Sequence, residues 1–282
     1  MTWIVGTPYG FGYGIGISDV RVTVGREEYD CLQKIYPVGN FVPMGFAGSV
    51  RIGFAMKDAA SDFLYTGDDS LAVDPNEVSE LWPQEARRVF MTFPEHERHA
   101  QSHLMMVSAH PTENCGESPW PRCYVHVFMS PDFRPISIGT NKLGSIGCAQ
   151  ESEPCRKAIE ELSNDYTRMS VIRQGEQGTP GGMATMLGIH LTMLLKDAQP
   201  KGVSTHLQYC WVYRGKIIIE TNDHSVAGRW TAFRHGSGIT GQPRAQLDGV
   251  TFTMPELATS WEEFQRALGR RRPPADGCVA IC

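Results

Sequence analysis

Thr2-Trp3-Ile4-Val5-Gly6 opens the chain behind a single Met1, and three further stretches follow in order: Ser18-Asp19-Val20-Arg21-Val22-Thr23, Lys34-Ile35-Tyr36-Pro37 and Gly45-Phe46-Ala47-Gly48-Ser49-Val50. If Met1 is removed, Thr2 carries a hydroxyl and a free α-amine on one residue, a nucleophile with its own base. An α-amine titrates at about 7.7–8.0, close to working pH, which suits proton abstraction. Taken singly, the other stretches are ordinary. Asp19 and Arg21 read as a surface pair at a strand end, Lys34 as a solvated charge ahead of an apolar run, and Gly45 and Gly48 as turn glycines. Their joint order and spacing after Thr2 carry the information.

Composition narrows the possibilities. The chain has 282 residues, of which 41% are hydrophobic and 20% charged. This is the make-up of a globular protein long enough to bury a sizeable core. A net charge of −5 leaves no basic footprint, so nucleic acid is not an expected partner. No apolar run approaches the roughly 18 residues of a membrane-spanning helix, so no membrane partner is expected. The N-terminus lacks the basic-then-apolar order of a signal peptide. The eight cysteines are scattered, which points to reduced thiols and a cytoplasmic location. The tail Cys278-Val279-Ala280-Ile281-Cys282 puts Val279 where a prenylation box needs its cysteine.

Periodicity gives a first map. Trp3–Gly6 and Gly14–Val24 read as strands joined by a Pro8/Gly10/Gly12 turn region. Gly12, Gly14 and Gly16 recur at every second position and Tyr13, Ile15 and Ile17 take the other face, so one face is bare enough for close approach. Strands are expected at Leu32–Val38, Phe41–Phe46, His103–Ala109, Cys123–Met129 and Phe133–Ile138, with a hairpin of Leu207–Tyr213 and Lys216–Thr221 around Arg214-Gly215. Ser49–Tyr65 has helical spacing, and Asn76–Gln101 reads as helix interrupted near Pro83 and Pro94. Pro111–Arg122 is a loop. Glu153–Leu162 and Ala184–Leu195 read as helices separated by a linker, Gly175–Gly182. Ser260 with Glu263 forms a capping box ahead of a helix whose apolar face is Trp261, Phe264 and Leu268, and the tail from Arg270 is expected to lack order.

Two patterns invite over-reading. His96, His99 and His103 lie near His110, Cys115 and Cys123, yet no CxxC or HExxH spacing supports zinc, so no metal or cofactor is expected. Gly236-Ser237-Gly238-Ile239-Thr240-Gly241 matches GxGxxG, but no strand leads into it and no helix follows, so a loop is the better reading.

The four stretches that begin at Thr2 resemble the catalytic half of a proteasome β-type subunit and of its HslV-like and Anbu-like bacterial relatives. In that family an N-terminal threonine precedes an Asp-x-Arg strand, a lysine on the next strand and a Gly-x-Ala-Gly turn opening a helix. The resemblance covers about residues 2–221. It implies an α+β fold, specifically a four-layer αββα sandwich of the N-terminal nucleophile hydrolase type, followed by a C-terminal extension over residues 222–282 of the sort seen in Anbu-type relatives. It also implies a division of labour. Thr2 is the nucleophile, Lys34 the cation beside its hydroxyl, and Asp19 the partner that fixes Lys34, with Arg21 completing the Asp-x-Arg motif. The Gly48 N–H is the oxyanion donor. Cys148 stands where the family has a serine that helps hold the threonine amine, and Asp197 is the second aspartate that orients it. Two departures weaken this half. The Cys148 thiol is a poor hydrogen-bonding group, and Pro200 replaces a family serine. Val22, Leu32, Tyr36, Phe46 and Val50 fall at positions that wall the substrate side-chain pocket. All are apolar, which predicts cleavage after small or medium apolar residues.

The expected activity is therefore that of a threonine-type peptidase. Its expected partners are further copies of itself, in a ring or helical stack, and a peptide or unfolded protein as substrate, with an ATP-dependent unfoldase as a further candidate. The competing readings are a small-amide hydrolase of the same fold and a catalytically inactive scaffold subunit.

Overall fold

The computed structural model describes residues 2–64, 77–109, 122–147, 152–172, 180–198, 200–213, 216–222, 231–233, 244–247, 250–253 and 257–271. Met1, Cys148, most of the loop expected at Pro111–Arg122, the linker residues 175–179, the Gly236–Gly241 stretch and the tail beyond residue 271 lie outside the described residues. The first half of the chain forms β1 (Trp3–Tyr9), β2 (Tyr13–Asp19), β3 (Arg21–Val24), β4 (Glu27–Asp30), β5 (Ile35–Gly39), β6 (Val42–Ala47), α1 (Val50–Leu64), α2 (Val78–Met91) and α3 (Glu95–Arg98). Then come β7 (His103–Ala109), β8 (Cys123–Met129), β9 (Arg134–Ile138), β10 (Gly144–Gly147), α4 (Glu153–Ile172) and α5 (Pro180–Ala198). The last elements are β11 (Leu207–Tyr213), β12 (Lys216–Asn222), β13 (Thr231–Phe233), β14 (Arg244–Leu247), β15 (Val250–Thr253) and α6 (Trp261–Arg271).

These elements make a mixed α+β protein with antiparallel sheets. One sheet has the order β10-β1-β2-β11-β12-β13 and another β5-β6-β7-β8-β9. Strand alternation decides what each face meets. On β2, Tyr13, Ile15 and Ile17 join Leu187, Leu191 and Leu195 of α5 in one apolar cluster. Gly14 points the other way, and a Cβ there would lie 2.3 Å from the Val107 side chain on β7. The bare face read in the sequence is thus where the two sheets meet, with Ile4, Met105, Val107, Val125 and Val212 between them. The far face of the five-stranded sheet carries Met44, Phe46, Leu104, Met106 and Phe128, which pack with Ile52, Phe54, Trp82 and Phe90 of α1 and α2.

The elements depart from the sequence expectations in instructive places. The strand expected to run from Gly14 to Val24 breaks at Val20, because the Asp19 carboxylate takes the Arg21 N–H at 3.0 Å and β3 turns off to pair with β4. Pro83 does not interrupt α2, whose buried stripe Val78, Trp82, Ala86, Val89 and Phe90 holds the helix to the core across the missing N–H. Pro94 does stop it, with ψ at 150° ahead of α3. Helix α5 begins at Pro180 rather than Ala184, a proline suiting the first helical position. Leu32 lies outside β5, making an isolated parallel bridge to Ala258.

Two pieces of the chain beyond residue 221 join this arrangement. Thr231–Phe233 adds an edge strand to the six-stranded sheet. Ala258 accepts the Gln33 N–H at 3.1 Å and donates to Cys31 O at 2.7 Å. The capping box of α6 forms in a shifted version: Ser260 Oγ accepts the Glu263 N–H at 3.2 Å, and Glu263 returns to the Thr259 N–H at 2.8 Å rather than to its own N-cap. Phe264 and Leu268 are then buried beside α1. Phe264→Ala should lower the unfolding free energy by about 3–5 kcal/mol in urea titrations, the cost of emptying a filled core site.

Candidate active site

Asp19 ends β2 in one sheet and Lys34 immediately precedes β5 in the other, so the meeting of the sheets brings them together. Lys34 Nζ lies 2.8 Å from Asp19 Oδ1, and both side chains are fully buried. The ammonium also donates to Arg21 O at 2.5 Å. Its third N–H makes no hydrogen bond among the described residues. Asp19 is held by backbone donors: Trp3 N–H to Oδ1 at 2.8 Å, Arg21 N–H to Oδ2 at 3.0 Å and Ser204 N–H to Oδ2 at 3.4 Å. A buried carboxylate is tolerable only with such satisfaction.

The Trp3 bond ties the chain's start to the pair. Thr2 is buried directly before it, and Trp3 pairs across the sheet with Gly147 of β10. Gly48, immediately ahead of Ser49 and α1, is exposed between buried neighbours. Its φ is +106°, and a Cβ would sit 1.8 Å from Gln101 O. Glycine is therefore required by the backbone and by Gln101. Arg21 contributes through its backbone. Its guanidinium turns away, with Nε to Asp30 Oδ1 at 2.7 Å and Nη1 to Glu28 Oε2 at 2.9 Å.

The remaining expected site residues fall elsewhere. Asp197 is exposed on the last turn of α5, Pro200 follows half-buried, and Cys148 lies outside the described residues. Val22, Leu32, Tyr36, Phe46 and Val50 are each at most 5% exposed and belong to the core cluster under α1 and α2. The Tyr36 and Phe46 rings stack 6.0 Å apart, and Phe46 meets Phe54 edge-on at 5.5 Å. All five thus pack among the apolar side chains of this core cluster. For the zinc pattern, His110 and Cys115 lie outside the described residues, and among those described no three metal-ligating side chains converge.

Sequence reading missed a polar network around the pair. Gln208 on β11, fully buried, accepts the Lys34 and Ile35 N–H groups on Oε1, both at 3.1 Å. Asp30 accepts from Ser204 Oγ at 2.7 Å and lies 2.9 Å from His206 Nδ1. No local motif marks these residues. The only local signal is a polar residue, Gln208, at the second position of the apolar strand expected at Leu207–Tyr213.

The chain matches no protein-family model, and no curated protein shows significant sequence similarity to it. Partial burial would raise the Asp30 carboxyl, but hydrogen bonds from His206, Arg21 and Ser204 outweigh it and hold the group well below its ordinary 3.8. The stability this adds is complete above that ordinary value and is lost as pH falls through it toward the lower folded value. Asp30→Asn should therefore cost on the order of 1–3 kcal/mol at neutral pH. The gap to the wild type should close between about pH 5 and pH 2 in chemical denaturation series.

Proposed function

We propose that the chain is an amide-bond hydrolase of the N-terminal nucleophile type, with the four-layer αββα architecture of proteasome β-type subunits, and that removal of Met1 exposes Thr2 as its nucleophile. The observation that carries this reading is the fully buried Lys34–Asp19 pair whose carboxylate also receives the Trp3 N–H. A lysine and an aspartate withdrawn from water are costly, and here they are built against the residue that follows Thr2. Among the described residues one ammonium N–H makes no hydrogen bond, and we propose that it serves the Thr2 hydroxyl.

In this mechanism the Thr2 amine, directly or through one water, takes the proton from its own hydroxyl. Thr2 Oγ attacks the carbonyl carbon, and Lys34 offsets charge developing on the oxygen nucleophile. Asp19 keeps Lys34 in place. The Gly48 N–H, at the exposed turn into α1, is the donor for the carbonyl oxygen as it becomes an oxyanion. The leaving amine takes the proton held by the Thr2 amine. Water, deprotonated by the same amine, then cleaves the acyl ester and restores the hydroxyl. Cys148 and Asp197 are proposed to hold the Thr2 amine as their family counterparts do, and copies of the chain are proposed to assemble around the site.

Two substrate classes remain for this chemistry. Peptides follow from the family resemblance. Small acyl amides are favoured by the burial and stacking of Tyr36 and Phe46. Hydrolysis of a peptide panel and a small-amide panel by the purified protein decides between them. Thr2→Ala and Lys34→Ala should each abolish turnover of whichever class is cleaved, to similar extents because they act as one unit, while the far-UV circular dichroism of Thr2→Ala stays unchanged. Full activity in Thr2→Ala rules this mechanism out.

A further inference from the structure

We propose that Gln208 is a positioning residue for Lys34, clamping the lysine's backbone from the opposite sheet. The inference rests on the hydrolase reading above, and its test separates the two. Strand β5 is the edge of its sheet. The neighbouring β6 serves Lys34 through the Phe46 N–H to Lys34 O at 3.3 Å. The N–H groups of Lys34 and Ile35 are taken instead by Gln208 Oε1, and Gln208 Nε2 returns to Ile35 O at 3.3 Å. Ile35 O also accepts from Gln33 Nε2 at 2.9 Å, and the Gln208 amide oxygen stands in for a missing strand at the two N–H groups where the lysine enters the site.

Its origin matters as much as its bonds. Gln208 is directly opposite Ser18 in the β2–β11 register, and Leu207 is opposite Asp19. The group that holds the Lys34 backbone and the group that holds its ammonium therefore come from adjacent positions on paired strands. The neighbours of Gln208 on the same strand face, Cys210 and Val212, are buried and lie among the apolar side chains between the sheets. An apolar residue at 208 would suit that face equally well, and a buried amide is kept only when it is hydrogen-bonded. Glutamine has the reach for the Lys34 and Ile35 amides; asparagine, one methylene shorter, does not.

The test uses a β-lactone probe, which acylates Thr2 Oγ as its ring opens and adds its whole mass to the N-terminal peptide. Gln208→Asn should be labelled roughly tenfold to a hundredfold more slowly than wild type, the penalty of a misplaced catalytic group. The midpoint of its rate-against-pH profile should also move. Gln208→Glu, which keeps an oxygen acceptor for both amides and, when protonated, an O–H donor for Ile35 O in place of Nε2, should return the rate to within about threefold of wild type. Hydrogen exchange on the wild type reads the clamp without activity or a variant: the Lys34 and Ile35 amides should exchange only on global unfolding. Rapid exchange of these amides overturns the proposal. So does a Gln208→Asn protein that is labelled at the wild-type rate, or one that is slowed with an unmoved pH midpoint. A wild type that takes no label at Thr2 refutes the hydrolase reading itself, and protected amides would then make Gln208 a structural clamp only.

Discussion

Everything near the start of the chain is organised by one contact, the Lys34 ammonium against the Asp19 carboxylate at 2.8 Å with neither side chain exposed. Moving one such ion from water into a dry interior costs about 20 kcal/mol in the idealised limit and still several kcal/mol after relaxation. A pair of this kind seldom adds stability over an apolar pair of the same shape. It persists here because the surroundings satisfy it: three backbone N–H groups on Asp19 and the Arg21 carbonyl on Lys34. The satisfaction itself shapes the fold. Taking the Arg21 N–H ends β2, and taking the Trp3 N–H holds the first residue of β1 beside the pair.

The sheets can meet closely enough to form this contact because one face of β2 is nearly bare. Gly14 and Gly16 admit Val107 and Ile35 of the opposite sheet, while Tyr13, Ile15 and Ile17 hold the helices behind. A second tier of polar groups then surrounds the pair. Arg21 and Asp30 bind side to side, Ser204 links Asp30 to Asp19 through its hydroxyl and its N–H, and Gln208 crosses between the sheets. The segment leading into Lys34 is further bridged by Ala258 from near the chain's far end, so residues spanning most of the sequence converge on this lysine.

The sequence made part of this legible. The Asp19–Lys34 pairing was implied by the family resemblance, and β7 and β8 matched their expected spans because hydrophobic alternation there is unbroken. The helix of Trp261, Phe264 and Leu268 was legible from its cap and its stripe. What was not legible depends on long-range contacts. Gln208 lies 174 residues from Lys34, and a lone polar residue beside an apolar strand says nothing of what it will meet. The five apolar positions from Val22 to Val50 were open to two readings because apolar character suits both a pocket wall and a core. In the structure all five are buried in one apolar cluster, with Tyr36 stacked on Phe46, and that packing is a property of the tertiary structure alone.

The central claim is that this buried pair is built to serve a free N-terminal threonine. The most direct measurement is the N-terminal mass of the protein purified from its natural host. The account predicts a chain that begins at Thr2, with the α-amine unmodified. A chain that quantitatively retains Met1, or carries a blocked Thr2 amine, and still hydrolyses amides at full rate would contradict it.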